Sequence, residues 1–481
     1  MLRFIVIGIT DNPQPWFPPE VMEIIRQGKA FSGGRRHHEI VMPLLPPDAE
    51  WIDITVPLEK VFEQYRSLPQ SPPQGRGFRP HEDLSLPLGK EEGRGENSLP
   101  LGKGEGMGLI VFASGDPLFF GFSNTLRREF PEAEIKVYPT FNSLQMLAHR
   151  LVQPYHDMRI VSLTGRPWPE FDRALIERTP KIGILTDKEH TPAAIAQRML
   201  EYGYTYYNIY VGEHLGNPNL ERVTALSLEE AAQRTFAMPN CVIIRSKEQG
   251  ARGKEQGARG KEQEECFRQN DKRTANVSSC SLPLAPCSLP LTRPFGLTDS
   301  SFALLDGREK MITKMPIRLL TLQALDLPHR HVLWDIGFCT GSVSIEARLQ
   351  FPHLHIEAFE VRPECEAIIH ENMRRHGAPG IGVHIGDFCS VCCDDIATEK
   401  TPDAVFIGGH GGRLKEIMAK VLQYLTPDGV IVMNSVVAPK VTRDSHRLWD
   451  EACRELGLRQ DPPTRIQLDD NHPITILRCH R

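Results

Sequence analysis

Short apolar runs alternate along this chain with stretches in which apolar residues recur every three or four positions. FIVIGI (4–9), EWIDITVP (50–57), GLIVFAS (108–114), EIKVYP (134–139), RIVSLTG (159–165), KIGILTD (181–187), YNIYVGE (207–213) and CVIIRS (241–246) have the length and β-branched content of strands. Between them lie amphipathic stretches near 18–28, 120–130, 142–151 and 191–202. A second series follows: a helix near 313–325, HVLWDIG (331–337), a helix near 341–350, HIEAFEV (355–361) and a helix near 363–376. GVHIGDF (382–388), PDAVFIGG (402–409), a helix near 412–425, GVIVMNSV (429–436), a helix near 440–457 and ITILRC (474–479) complete it. Near-continuous apolar strands joined by helical crossovers predict an α/β protein with largely parallel sheets. The second series predicts a Rossmann-like doubly wound domain with its ligand crevice at the C-terminal strand ends.

Two segments break the pattern. Residues 67–107 carry SLPLGK twice, and 246–293 carry KEQGARG in tandem and then CSLPLAP and CSLPLTR. Neither has the apolar seam of a coiled coil, and neither buries enough apolar surface to offset its ordering entropy, so both are expected to be disordered. Strand signals on both sides make the first an insertion within a domain spanning 1–245. The second is an interdomain linker ahead of a domain at 294–481.

Composition narrows the function classes. A chain of 481 residues implies two or three domains, and a net charge of −5 lacks the global basic footprint of a nucleic-acid binder. No apolar run reaches the length of a membrane span, and MLRFIVIGIT reads as a first strand and not a signal peptide, so a cytoplasmic enzyme without a membrane partner is expected. The 11 cysteines form no paired framework, which predicts reduced thiols. Cys389, Cys392 and Cys393 lack a second ligand pair, so no metal is expected.

The candidate chemistry begins at WDIGFCTGSVSIEA (334–347). A dinucleotide fold would read G-x-G-x-x-G, whereas this turn reads Asp335-x-Gly337-x-x-x-Gly341 and puts a carboxylate where a pyrophosphate would sit. That carboxylate suits a cationic ligand, and S-adenosyl-L-methionine carries an ammonium and a sulfonium and no phosphate. The next strand ends in Glu360, placed to accept two ribose hydroxyls. The third ends in Gly386-Asp387-Phe388, placed to bracket an adenine by hydrogen bonding and stacking. A nicotinamide-dependent oxidoreductase is disfavoured by the same glycine spacing.

LLDGREKMITKMPIRLLTLQAL (304–325), WDIGFCTGSVSIEA and PDAVFIGGHGG (402–412) resemble the class I, decarboxylating C15 enzymes among the cobalamin-pathway precorrin methylases. VIGITD (6–11), GGRRHH (33–38), ASGDPLFFG (113–121), VSLTGR (161–166) and GEHLGNPNLERV (212–223) resemble the C5 members of the tetrapyrrole methylase family, a two-lobed α/β fold. The two in this order resemble the family of bifunctional C5,15 fusions. The resemblance implies two S-adenosylmethionine-dependent C-methylations of a tetrapyrrole, at C5 and C15, with loss of the C12 acetate carboxyl. A homo-oligomer is expected. The chain departs from the family at Cys339, where glycine is usual, at His410, where serine is usual, and in its first turn, which is less glycine-rich.

The resemblance assigns Gly8, Asp11, Gly115, Asp116 and Thr164 to cofactor binding in the first domain, and Thr313, Gly337, Gly341 and Gly408 in the second. Asp116 also suits a plain Gly-Asp-Pro turn and Thr313 a helix N-cap. Substrate carboxylates imply basic partners, for which Arg35, Arg36 and His37 follow the Gly33-Gly34 turn. Gly409 and His410 are expected to face the macrocycle, with His410 a candidate proton acceptor after methylation. The competing reading is a methyltransferase acting on protein or nucleic acid with a degenerate N-terminal domain. Its usual N/D-P-P-Y-type motif is replaced here by FIGG.

Overall fold

The computed structural model describes residues 2–68, 108–247, 293–306, 311–394, 396, 401–436, 445–468 and 473–481. Apart from their ends, the two low-complexity segments lie outside the described residues. The chain divides into two compact units, Met1–His156 with Tyr210–Thr224 and Phe236–Ile243, and Asp157–Ile209 with Ala225–Thr235 and Ile244–Arg481.

In the first unit, β1 (Arg3–Ile9), β2 (Ala30–Gly33), β3 (Glu50–Asp53), β4 (Leu109–Ser114) and β5 (Glu134–Tyr138) form a sheet in the order β3-β2-β4-β1-β5. All four pairings are parallel. The strands β3 and β4, which flank the first low-complexity segment, both belong to this sheet. β1 from Phe4 and β4 up to Ala113 are apolar because helices cover both faces: Ile5, Ile7, Phe31 and Phe112 pack on one side and Phe4, Val6, Val111 and Tyr65 on the other.

A second sheet takes β6 (Arg159–Ser162), β7 (Lys181–Leu185), β8 (Tyr207–Glu213), β9 (Arg222–Leu226) and β10 (Asn240–Ser246) in the order β6-β7-β10-β8-β9. Within the second compact unit the Tyr204 hydroxyl donates to the Gly377 carbonyl at 2.7 Å, a bond that satisfies a fully buried phenol.

The third sheet is built from β11 (Val332–Ile336), β12 (His355–Glu360), β13 (Ile381–Ile385), β14 (Ala404–Ile407), β15 (Val430–Val436), β16 (Arg459–Gln460), β17 (Thr464–Ile466) and β18 (Ile474–His480). Its order is β13-β12-β11-β14-β15-β18-β16, with β17 also on β18. β11 to β15 are parallel and β18 runs antiparallel to β15. The order of strand addition reverses between β11 and β14, outward to β12 and β13 on one side and to β15 on the other, which makes a topological switch point at their C-terminal ends. Every residue of β11 is buried, and Trp334 anchors a core with Phe359, Phe388 and Trp449.

Several elements went unmarked in the hydrophobic pattern: β2, β9, β16, β17 and the helices Arg35–Val41, Glu59–Ser67, Pro169–Ile176 and Leu228–Ala232. They are short, and most present one apolar face too brief to show a period. The segment RRHHEIV is the instructive case. It continues from the Gly33-Gly34 turn as a helix with Gly34 at its N-cap, because only Ile40 and Val41 need to be buried.

Candidate functional site

In the third sheet the ligand crevice is built from the ends of β11, β12 and β14. Asp335 is fully buried, and Ser344 Oγ, in the first turn of the helix Ser342–Gln350, donates to its Oδ2 at 2.5 Å. Oδ1 has no hydrogen-bond partner among the described residues, yet the side chain lines a cavity of about 580 Å³. Burial pushes the carboxyl up from 3.8 to about 7, with the Ser344 bond opposing and the Glu360 charge adding to the rise. A buried carboxylate with an open acceptor is a receptor for a cationic donor.

Backbone geometry explains the glycines. Gly337 has φ +79°, and a Cβ there would lie 2.7 Å from the Gly409 nitrogen, so β11 and β14 approach here only without a side chain. A Cβ on Gly408 would stand 2.8 Å from the Gly337 carbonyl, while Gly409 faces open space. Gly341, at φ +72°, caps the next helix against Ile369. Cys339 holds φ +51° with a buried side chain, and its N–H donates to Glu360 Oε2 at 2.9 Å.

Glu360 is densely bonded. Oε1 accepts from the backbone N–H groups of Val361 (3.0 Å) and Arg362 (3.2 Å) and from Arg362 Nε (3.0 Å). Oε2 accepts from Cys339 N–H and from Arg362 Nη2 at 2.8 Å. Burial would raise its pKa, but the Arg362 bond and the Cys339 N–H outweigh that and hold it below the usual carboxylate range.

Of the remaining C-terminal candidates, Thr313 lines the Asp335 cavity. It is not the helix N-cap: Lys314 occupies that position, and Asp299 Oδ1 accepts the Met315 N–H at 3.0 Å in the capping role. Asp387, Phe388, Gly409 and His410 line an adjoining cavity of about 570 Å³ together with Glu360 and Arg362. Asp387 accepts from Arg413 at 2.8 Å, the main reason its pKa is lowered. Phe388 is buried, its ring edge-on to Trp334 and Phe359. His410 Nδ1 lies 3.1 Å from the Gly412 N–H it accepts, and Nε2 lies 3.2 Å from Ser445 Oγ. Burial lowers its pKa, so it is neutral.

The first unit carries its own strand-end cavity, lined by Asp11, Arg36, Ser114 and Gly115 with Thr10, Phe141 and Met146. Asp11 bridges Arg36 Nη1 (3.3 Å) and His214 Nδ1 (2.8 Å). Gly8 supports the turn from behind, since a Cβ there would meet the Gly115 carbonyl at 2.2 Å. Arg36 Nη2 donates to Ser114 Oγ at 2.8 Å, and His37 Nε2 lies 2.9 Å from the same oxygen. Burial, helped by the Arg36 charge, drives His37 down to about 4, so it is neutral. The other candidates fall outside this lining. Arg35 is exposed and pairs with Glu39, and Asp116 Oδ1 accepts the Leu118 N–H as an ordinary turn. Thr164 belongs to the second compact unit and donates to the Thr186 carbonyl at 3.1 Å.

Sequence reasoning missed Ser114, His214 and Arg362. Arg362 carried a usable signal, a cation two residues beyond a strand-end acid. Ser114 and His214 lie inside the motifs ASGDPLFFG and GEHLGNPNLERV, but nothing local reveals that β4 and the end of β8 meet around Asp11. Ile466, Leu468 and Ile474, which close the Asp335 cavity, come from the far C-terminus and were equally invisible.

A switch-point crevice with a buried acid near the end of β11 and another at the end of β12 gives the C-terminal part a class I methyltransferase fold, paired here with a tetrapyrrole-methylase-like α/β part. Residues 4–232 match the tetrapyrrole (corrin/porphyrin) methylases and residues 306–474 match the precorrin methyltransferase domain. Precorrin-6Y C(5,15)-methyltransferase [decarboxylating] of Sinorhizobium sp is 27% identical over 432 residues, 90% of this chain and 84% of that protein. Cobalt-precorrin-6B C(15)-methyltransferase (decarboxylating) of Salmonella typhi is 31% identical over 184 residues, 37% of this chain and 93% of that protein. Cobalt-precorrin-7 C(5)-methyltransferase of Salmonella typhimurium is 30% identical over 137 residues, 28% of this chain and 65% of that protein. The chain belongs to the precorrin methyltransferase family.

Proposed function

We propose that this chain is a bifunctional, S-adenosyl-L-methionine-dependent precorrin methyltransferase of cobalamin biosynthesis, methylating C5 and C15 and decarboxylating the C12 acetate. Residues 1–245 carry the C5 reaction and 294–481 the C15 reaction. The observation that carries the cofactor assignment is the buried Asp335, a side chain that lines the cavity and whose Oδ1 has no partner among the described residues. The tetrapyrrole assignment is supported by the family matches at 4–232 and 306–474 and by a precorrin-6Y methyltransferase relative aligned along 90% of the chain.

When bound, S-adenosylmethionine supplies an electrophilic methyl group. Asp335 and Thr313 hold its methionine end, Gly337, Gly341 and Gly408 let the backbone close around it, and Glu360 takes the ribose hydroxyls. Asp387 and Phe388 flank the adenine. In the first unit Asp11, Gly115 and the Gly8 turn form the corresponding cradle, while Asp116 and Thr164 stand outside that lining and serve their turns. These residues act by fixing the reacting carbon in line and excluding water, which suits a reaction whose electrophile needs no further activation. Arg36 and a neutral His37 bind substrate, with Arg35 at the rim. Gly409 leaves room for a flat macrocycle. His410, neutral and hydrogen-bonded through both nitrogens, orients the glycine loop and accepts a proton only by giving up the Gly412 bond.

Methylation of protein or nucleic acid is the weaker reading, since the relatives along 90% of the chain carry precorrin names. The reading includes a cytoplasmic homo-oligomer; among the described residues no helix is long and apolar enough to cross a membrane. Titration calorimetry of the full chain with S-adenosylmethionine tests it, with two sites expected. Absence of binding overturns the assignment, and a single site removes it from the first unit.

A further inference from the structure

The Glu360 carboxylate has about four lone-pair sites, and five donors already converge on it. Three are backbone N–H groups from Cys339, Val361 and Arg362. They hold the turns after β11 and β12, so they leave only if those turns unfold. The other two come from the Arg362 side chain, at 3.0 and 2.8 Å. A ribose diol needs two acceptor sites on this carboxylate, the number that Arg362 holds. The guanidinium and the diol therefore compete for one place, and the side chain is the partner able to move.

Arg362 also stands where a released cation has work to do. It lines the Asp335 cavity and the adjoining Asp387 cavity alike. Beside it, Val361 is 60% exposed and Met311 42% exposed, with the Met311 sulfur 3.6 Å from Arg362 Nη1. Exposed apolar side chains around a cation released from Glu360 would complement a flat apolar ring system edged with carboxylates.

We infer that Arg362 is a positioning residue that exchanges partners, yielding Glu360 to the cofactor ribose and turning its guanidinium to a carboxylate of the tetrapyrrole. Binding is consequently ordered, cofactor first, and the macrocycle is gripped only in a cofactor-loaded site. The inference rests on the proposed function and adds to it a residue and a binding order.

The test uses the full chain and Arg362→Gln and Arg362→Lys variants, with S-adenosylmethionine affinity read by calorimetry and tetrapyrrole KM read from C15 methylation. Arg362→Gln removes the competitor, so the C-terminal calorimetric site tightens about threefold to tenfold while the N-terminal site is unchanged. Its tetrapyrrole KM rises by about tenfold or more through loss of a charged hydrogen bond. Arg362→Lys cannot make the two-pronged bond but keeps the cation, so it tightens cofactor binding and restores KM. A merely structural role would weaken both together. Weaker or unchanged cofactor binding in Arg362→Gln, or an unmoved KM, overturns the inference alone. No cofactor binding by the unsubstituted chain overturns the proposed function with it.

Discussion

Replacing Asp335 with asparagine separates stability from binding. In the native chain the carboxyl is fully buried and its pKa is raised from 3.8 to about 7. At ~1.4 kcal/mol per pH unit, that difference makes the ionised group cost the fold about 4 kcal/mol. Because the folded-state pKa lies above the unfolded one, native stability falls as pH rises from near 4 to near 7 and is level above. Asparagine does not titrate, so Asp335→Asn is more stable than the native chain above pH 7, by at most about 4 kcal/mol, and the advantage shrinks steadily toward acid. Cofactor affinity moves the opposite way. Loss of a charge-assisted hydrogen bond worth ~1.5–3 kcal/mol weakens S-adenosylmethionine binding at the C-terminal site roughly 10- to 150-fold. Affinity in the native chain itself climbs with pH toward about 7, since only the ionised carboxylate pairs with the cation. Scanning calorimetry across the pH range and titration calorimetry read the two effects. Parallel stability profiles for variant and native chain would refute the desolvated carboxylate, and unchanged affinity would refute its role as the cation's receptor.

Two further substitutions probe the same crevice. Glu360→Ala removes both ribose acceptors and leaves the Cys339 N–H without its partner, so C-terminal cofactor affinity drops by about tenfold or more, and an unchanged Kd means the ribose sits elsewhere. Cys339→Gly relieves a left-handed residue costing about 1 kcal/mol, so S-adenosylmethionine binding is preserved or tightened and turnover persists. Loss of turnover with intact binding would instead make the thiol part of the chemistry.

Much of the C-terminal site was legible in advance because it is local. Asp335, Gly337 and Gly341 lie within one turn, and a Rossmann-like order of strands brings the next two strand ends, Glu360 and Asp387, to the same edge. What failed to show was occupancy. The sequence pattern presents Glu360 and Asp387 as free acids, whereas the fold hands each an arginine, Arg362 and Arg413. The basic cluster at 35–38 divides for a similar reason. Its helix turns Arg36 and His37 toward Ser114, leaves Arg35 in solvent and stacks His38 on Trp51 at 4.1 Å, a partition set by helical geometry and invisible in the string GGRRHH.

The sequence by itself determined the strand-and-helix alternation, the turn chemistry at Asp335-x-Gly337 and the family resemblance, because each depends on neighbours a few residues apart. Only the tertiary structure decided which candidate groups are already satisfied. Arg413 on Asp387 and His214 on Asp11 are pairings made by loops that meet at strand ends, while Arg362 on Glu360 and Gly412 on His410 close within single turns whose conformation the fold sets. Burial decided the rest: removing Asp335 and His37 from water sets their protonation, and desolvation belongs to the folded surroundings of a side chain and not to its place in the sequence.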